Sequence, residues 1–478
     1  METVTRYDVI VIGGGVVGCL TARELTRLGA RVLVLEARSD VASGTTAANS
    51  GIVHAGFDAE TGTNKAKLNV RGSAMMPALT KELSVRYQQI GALVTASGDE
   101  GLAGLEKLLE RGKKNGVSGL SIVRGEALRA LEPNLSTELD CALFATTSGI
   151  VCPYGLAIAA MGNAMDNGAT LLRNTPVTKI EATDGGYLVN GTYFAKAVVD
   201  AAGLAAHKVA ALAGFTGLKQ HPRRGEYLLL DRNCGGTVKH TVFTLPTKAG
   251  KGILVSPTAD GNLLLGPTAE DLPEGVNCAV TAAGQDKIIA TAKKMVPSVP
   301  LGGRITSFAG LRAVGESGDF EISFKGGFVI LTGIESPGLS AAPAIAELIG
   351  EKLGEAGLLP EGPMANFDPV RTVVRPKEMT DVERDALIRR DPAYGRIVCR
   401  CEEVSEGEIR DALRQNPPAL TIDGIKRRTR ATMGRCQGGF CTPSLVALVS
   451  RERKIDETKV AKGDGNSIIA DRRTKGGN

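Results

Sequence analysis

A glycine-rich turn near the start of the chain constrains the fold more than any other feature. Residues 7–12 form a β-branched run typical of a buried parallel strand, and residues 13–18 follow with G-x-G-x-x-G spacing. Residues 16–28 then have the pattern of a helix, and residues 31–35 that of a second buried strand. This order predicts a βαβ unit of a Rossmann-like dinucleotide-binding domain in an α/β protein.

Each glycine of the turn has a separate physical role. Gly13 makes the turn, Gly15 lets backbone N–H groups approach a pyrophosphate, and Gly18 lets the helix pack against the strand. The helix N-terminus adds its positive dipole end, and Glu36 ends the second strand at the distance expected for a ribose-binding carboxylate. The fingerprint does not separate FAD from NAD.

Length and composition narrow the class of protein. A chain of 478 residues predicts two to four domains, and we find no apolar stretch long enough for a transmembrane helix. The nine cysteines then favour thiols or metal ligands in a reducing compartment, so we expect a cytoplasmic protein. The basic run at residues 426–430 has no neighbouring aromatics, which favours a solvated or docking face over nucleic-acid binding.

Four cysteines near the C-terminus form a second pattern. Cys399 and Cys401 make C-x-C, and Cys436 and Cys441 follow after a gap of 34 residues as C-x4-C. Four thiolates can hold a 2Fe–2S cluster or a zinc ion, and unligated thiols are the third option. A cluster carries one electron at a time, whereas NAD exchanges hydride. The cluster interpretation therefore favours FAD as the dinucleotide.

Several segments resemble the D-amino-acid-oxidase superfamily, especially its glycerol-3-phosphate and L-2-hydroxyglutarate dehydrogenase branch. They are residues 49–56 (NSGIVHAG), 65–68 (KAKL), 198–203 (VVDAAG) and 333–339 (GIESPGL). The resemblance implies FAD bound in an extended form. The residues expected to contact FAD are Gly13, Gly15, Gly18, Glu36, Arg38, Thr45, Asn49, Ser50, Gly51, Val177, Ala202, Gly203, Gly310, Gly333, Ser336, Gly338 and Leu339.

The cysteine region resembles the bacterioferritin-associated-ferredoxin-like domain, a small helical 2Fe–2S module. Its x4 spacing is similar to forms fused to flavoenzymes, a layout shared by large subunits of bacterial anaerobic glycerol-3-phosphate dehydrogenases. The resemblance implies an electron-accepting partner protein or subunit, through which peripheral membrane docking would be possible.

The pattern also predicts domain boundaries. We expect a discontinuous FAD-binding domain (residues 1–80, 146–220 and 306–370) with an inserted α+β substrate or cap domain (81–145 and 221–305). A linker (371–395), a small helical 2Fe–2S domain (396–450) and a polar tail (451–478) follow. The tail is expected to be disordered or loosely docked.

Oxidation of an alcohol requires a base and, for an anionic substrate, a cationic anchor. His54 is the first candidate for the base; a packing role and a covalent bond to the flavin are the alternatives. Arg312 resembles the family's substrate-binding arginine, the alternative being an ordinary surface arginine. Further candidates, which structural roles would also explain, are Arg224, Glu226, Tyr227, Lys251 and Thr258.

The leading hypothesis is oxidation of sn-glycerol-3-phosphate to dihydroxyacetone phosphate, with electrons leaving through the cluster. The same fold could also oxidise other substrates: L-2-hydroxyglutarate or another 2-hydroxyacid, or an amine or imino acid. Two alternatives involve no substrate: an electron-transfer subunit and a zinc-stabilised regulatory protein.

Overall fold

The computed structural model describes residues 4–245 and 252–472. Within them the chain forms twelve α-helices: α1 (Val16–Arg27), α2 (Asn64–Glu82), α3 (Gly98–Lys114), α4 (Gly125–Leu131), α5 (Pro153–Asp166), α6 (Ala206–Leu212), α7 (Ala282–Met295), α8 (Gly338–Glu355), α9 (Asp381–Arg390), α10 (Glu406–Arg414), α11 (Ile422–Thr429) and α12 (Thr442–Arg453). None of these helices is long and apolar enough to cross a membrane.

The same described residues contain twenty-two strands: β1 (Thr5–Ile12), β2 (Val32–Leu35), β3 (Ile52–Val53), β4 (Tyr87–Gln88), β5 (Ala92–Ala96), β6 (Leu120–Arg124), β7 (Cys141–Ala145), β8 (Gly149–Val151), β9 (Thr170–Leu172), β10 (Ile180–Thr183), β11 (Gly186–Val189), β12 (Tyr193–Asp200), β13 (Gln220–Leu230), β14 (Thr241–Thr244), β15 (Leu254–Pro257), β16 (Leu263–Gly266), β17 (Glu270–Asp271), β18 (Arg304–Gly315), β19 (Glu321–Lys325), β20 (Phe328–Thr332), β21 (Ile397–Cys399) and β22 (Val404–Ser405).

An eight-stranded sheet forms the nucleotide-binding half of the molecule. Its centre is parallel, with β20, β12, β1, β2 and β9 side by side, and the hairpins β10–β11 and β19–β20 add antiparallel strands. Every residue of β2 is buried, as a strand covered on both faces requires. Helices α1, α2, α5 and α8 cover one face, and α6 covers part of the other. The predicted Rossmann-like fold is confirmed.

A nine-stranded, mostly antiparallel sheet forms the cap. Its longest pairing joins β13 to β18 from Gln220–Gly315 to Leu230–Arg304. Strand β18 therefore lies across the predicted boundary at residue 306 and belongs to the cap sheet as far as Gly315. The reason is backbone pairing with a distant strand, which no local pattern in the sequence specifies.

The C-terminal domain is a small helical unit. Helices α10, α11 and α12 pack around Ile409, Ile425, Leu445 and Val449, beside the two-stranded sheet β21–β22. The predicted linker contains α9, which begins with a capping box at Thr380. The described part of the tail docks onto the FAD-binding domain, where Ser39 donates two hydrogen bonds to Asp464.

Candidate functional site

A cavity of about 1420 Å³ lies between the nucleotide sheet and the cap sheet. Its position beyond the carboxyl ends of β1, β2 and β12 is where open α/β sheets bind ligands. The predicted residues that line it are Gly13, Gly15, Glu36, Arg38, Thr45, Asn49, Ser50, His54, Val177, Ala202, Gly203, Tyr227, Gly310, Arg312, Ser336, Gly338 and Leu339.

The glycine turn forms one end of this cavity. Gly13 has φ +106°, and a Cβ there would lie 2.5 Å from the Ala201 carbonyl oxygen, so the turn requires glycine. The Glu36 carboxylate accepts hydrogen bonds from the backbone N–H groups of Gly14 (2.7 Å) and Arg38 (2.8 Å). The turn, the start of α1 and the carboxylate are therefore fixed relative to one another.

Three predicted contact residues lie behind the cavity wall. A Cβ at Gly18 would meet the Gly13 carbonyl oxygen at 2.0 Å, which is why α1 can pack this closely on β1. Gly51 (φ +75°) and Gly333 (φ +66°) occupy left-handed turns against neighbouring backbone. These glycines shape the wall.

Successive side chains of β13 point to opposite faces of the sheet, so the predicted substrate-binding residues on this strand do not all reach the cavity. Tyr227 lines the cavity together with Arg223 and Gly225, whereas Arg224 and Glu226 lie on the opposite face of the strand. Glu226 is 1% exposed and accepts hydrogen bonds from the backbone N–H and hydroxyl of Thr281, immediately before α7.

Arg224 pairs with Glu270 and donates to the Ala279 carbonyl, 2.9 Å away. The predicted substrate contacts of Arg224 and Glu226 are thus corrected, because a pleated strand sends adjacent side chains to opposite faces. Thr258 also lies outside the cavity, in a turn closed by hydrogen bonds with Asn262. Lys251 lies outside the described residues.

His54 and Arg312 approach the same cavity from different domains. The His54 backbone N–H donates to Ser340, and its ring lies 5.8 Å from the Phe243 ring of the cap. Arg312 donates to the Thr268 carbonyl oxygen at 2.8 Å. Its buried Nε has no hydrogen-bond acceptor among the residues that the structure describes.

Tyr227 links these groups to the FAD-binding loop. Burial raises the pKa of this phenol, with Arg312 and a hydrogen bond to Ser50 acting in the opposite direction. The ring stacks on Phe308, with centroids 4.8 Å apart. Tyr227 is therefore held as a neutral hydroxyl beside the cation.

The four C-terminal cysteines form two pairs. The Cys401 and Cys436 sulfurs lie 3.7 Å apart, and the Cys399 and Cys441 thiols are hydrogen-bonding neighbours. Two thiolates on one tetrahedral metal with bonds of about 2.3 Å would lie about 3.8 Å apart. Within residues 4–245 and 252–472 no group of three metal-ligating side chains surrounds a single point. Two pairs fit a centre with two metal ions better than a single tetrahedral ion.

The environment of Cys436, but not that of its partner Cys401, favours a thiolate. The backbone N–H groups of Phe440, Gly438 and Gly439 donate to the Cys436 sulfur and hold the pKa of this thiol below its ordinary value, although burial opposes them. Burial raises the pKa of Cys441 to about 12 in the metal-free chain.

Comparison with known proteins identifies both parts of the chain. Residues 8–352 match the family model "FAD dependent oxidoreductase" (DAO). The chain belongs to this FAD-dependent oxidoreductase family. Residues 397–451 match the "BFD-like [2Fe-2S] binding domain", so the second predicted resemblance is also confirmed.

Named relatives of this FAD-dependent oxidoreductase include proteins with different substrates in their names. It is 42% identical to a glycerol 3-phosphate dehydrogenase of Caloramator mitchellensis, over 98% of this chain and 99% of that relative. It is 29% identical to mitochondrial L-2-hydroxyglutarate dehydrogenase of Arabidopsis thaliana, over 73% and 83%. The FAD-bound L-α-glycerophosphate oxidase of Mycoplasma pneumoniae has a TM-score of 0.73 and 32% identity, covering 78% of this chain and all of that one.

The cavity of this FAD-dependent oxidoreductase fits the cofactor. A Cβ at Gly310 would lie 2.7 Å from the Ala48 side chain, so bare backbone brings β18 against the residue 45–48 turn. The Gly15 N–H, immediately before α1, has no acceptor among the described residues and is available to a pyrophosphate, whereas the Gly13 and Gly14 N–H groups donate to Leu35 and Glu36.

Sequence reasoning missed four cations that line the cavity, namely Lys65, Arg111, Arg223 and Lys287. Lys65 lies 3.0 Å from Glu335, and Arg223 forms a two-point pair with Asp271. Arg223 could have been found from the strand pattern, because it lies four residues before Tyr227 on β13 and therefore on the same face.

Proposed function

We propose that this FAD-dependent dehydrogenase oxidises sn-glycerol-3-phosphate to dihydroxyacetone phosphate and passes the electrons through a 2Fe–2S cluster to a partner protein. The observation that carries the proposal is Arg312, a cation that lines the cofactor cavity and forms no ion pair with a carboxylate among the residues that the structure describes. A phosphate or carboxylate group of the substrate would supply that anionic partner. The similarity to a glycerol 3-phosphate dehydrogenase along nearly the whole chain, including the cysteine domain, favours phosphate.

Different side chains of the protein bind the substrate and remove its proton. Arg312 binds the phosphate, and the Thr268 carbonyl fixes the position of its guanidinium. His54 accepts the proton from the substrate hydroxyl while the C–H bond at the same carbon breaks, so the alcohol becomes a ketone. Phe243 beside the His54 ring limits the access of water to it. FAD, when bound, supplies the acceptor for the hydride that leaves the carbon.

The cysteine pairs support the electron exit. Cys399 with Cys441 and Cys401 with Cys436 would hold the two irons, one pair each. A bound 2Fe–2S cluster supplies one-electron chemistry, which suits an electron-accepting protein rather than a hydride acceptor. Cys401 is exposed, so the centre is reachable from outside.

The test uses absorption spectra of the full chain, purified without oxygen. We expect flavin and iron in the sample, and bleaching near ~450 nm, where oxidised flavin absorbs, on addition of glycerol-3-phosphate. Parallel samples receive L-2-hydroxyglutarate, and proline as the amine. A further sample receives glycerol-3-phosphate with an artificial one-electron acceptor.

The outcomes separate the hypotheses. Bleaching by L-2-hydroxyglutarate alone would transfer the proposal to the dicarboxylate, and bleaching by proline alone to the amine chemistry. No bleaching by any of the three, with flavin and iron intact, would favour an electron-transfer subunit. Zinc in place of iron would contradict the cluster.

A further inference from the structure

The loop of residues 38–44 forms part of the FAD cavity and is covered from outside by the C-terminal domain. Arg38, Ser43 and Gly44 line the cavity. The loop begins just after Glu36, the carboxylate placed for the ribose. Its inner side is bonded to the glycine turn, because the Ala42 N–H donates to the Gly14 carbonyl oxygen at 2.8 Å.

One contact comes from the C-terminal tail. The Asp464 carboxylate accepts hydrogen bonds from the Ser39 backbone N–H (2.9 Å) and hydroxyl (2.5 Å). Its second oxygen lies 3.8 Å from the Arg38 guanidinium, which itself donates to the Ser43 carbonyl oxygen at 2.8 Å. Asp464 therefore fixes both the backbone and the cavity-lining cation of the loop.

The second contact comes from α11. Asp40 is 0% exposed and accepts hydrogen bonds from Arg427 (3.0 Å) and from two nitrogens of Arg428 (2.7 and 2.9 Å). A Cβ at Gly424 would lie 3.3 Å from the Asp40 carboxylate, so the helix backbone also approaches closely. The run at residues 426–430 is thus an internal docking face.

We propose that the C-terminal domain is a clamp on the ribose side of the FAD site. Asp464, Arg427 and Arg428 act as positioning residues for loop 38–44, and the affinity for FAD depends on them although none of them lines the cavity. Electron transfer and cofactor retention then require the same docked position of the domain.

The test compares the FAD dissociation constants of full-length variants, measured by flavin fluorescence during titration of the FAD-free protein. Asp464→Ala removes two charge-assisted hydrogen bonds, and we expect the dissociation constant to rise about tenfold. Asp464→Asn keeps one acceptor oxygen and should lie between the wild type and the alanine variant. Asp471→Ala is the matched control, because its exposed carboxylate makes no hydrogen bond or ion pair within the described part of the chain.

A second readout separates the clamp from general stabilisation. Turnover of Asp464→Ala at saturating FAD should equal that of the wild type. A lower melting temperature of the FAD-free variant with an unchanged dissociation constant would overturn the clamp, as would equal dissociation constants for Asp464→Ala and Asp471→Ala. A wild-type chain that binds no FAD would overturn both this proposal and the proposed function.

Discussion

At the scale of the residue, arginines close together in the cap have different roles because their partners differ. Arg224 donates to Glu270 and to the Ala279 carbonyl and lies outside the cavity, so it stabilises the cap. Arg312, paired with β13 at Arg223, lines the cavity and has no carboxylate partner among the described residues. A cation without an anionic partner at a cavity wall favours the binding of an anionic ligand.

Removing the proposed anchor should weaken substrate use without disturbing the cofactor. For Arg312→Met we expect kcat/KM for glycerol-3-phosphate to fall about 10- to 150-fold, which corresponds to the ~1.5–3 kcal/mol of a charged hydrogen bond. Steady-state kinetics measure this change. Arg304→Met, an exposed residue in the same strand, is the control and should behave like the wild type. Equal losses in the two variants would contradict the assignment.

Replacing the proposed base should slow the chemical step. For His54→Gln we expect flavin reduction by substrate to be about 10²- to 10⁴-fold slower, because proton removal by a positioned base contributes that much. Stopped-flow absorption measures the rate. FAD released freely on acid precipitation of the wild type would exclude a covalent His54–flavin bond, and an unchanged reduction rate would exclude the base.

At the scale of the element, β18 joins two functions. Its length in the cap sheet places Arg312 in the cavity. Gly310 of the same strand lets β18 contact the residue 45–48 turn beside the cofactor. Pairing with β13 along its whole length makes this position rigid. A change that displaces the backbone of β18 should therefore affect FAD and substrate together.

Filling the gap under β18 should impair FAD binding. In Gly310→Val the added Cβ would lie 2.7 Å from the Ala48 side chain and 2.8 Å from its carbonyl oxygen, so the turn must move. We expect FAD to bind about 5- to 150-fold more weakly, since overpacking costs ~1–3 kcal/mol. Fluorescence titration measures it. Gly302→Val, where an added Cβ meets no atom within 4 Å, should bind FAD normally.

At the scale of the whole molecule, buried ion pairs hold the domains together. Asp40 joins α11 to the FAD-binding domain, and Asp260 of the cap pairs with Arg86 (2.5 Å) and Arg430 (2.8 Å). Burial alone would raise the pKa of both carboxyls, yet the arginines hold them below their ordinary value. Removing one partner of such a pair destabilises the protein by more than the intact pair stabilises it, because a buried charge without a partner is costly.

These carboxylates predict acid sensitivity of domain docking. A depressed folded-state pKa gives stability that is fully present above the unfolded value of about 3.9 and is lost as pH falls through the folded value. We expect the melting temperature to drop steeply below about pH 4, measured by calorimetry. Asp471→Asn should keep this profile, whereas Asp40→Asn should flatten it; a parallel profile for Asp40→Asn would contradict the role of this ion pair.

The sequence by itself determined the parts that depend on local pattern. The βαβ unit and its glycine turn follow from periodicity and glycine spacing, which are properties of neighbouring residues, and the family follows from the resemblance of short motifs. The four cysteines were also readable from spacing, but their two-by-two pairing was not.

Only the tertiary structure decided what depends on residues far apart in the chain. Membership of β18 in the cap sheet, the inward face of β13 and the docking of residues 426–430 on Asp40 all rest on such contacts. A shift of one residue in the register of β13 would place Arg224 at the cavity in place of Arg223. A sequence lists the charges, but burial and pairing, which fix their energies, come from the folded chain.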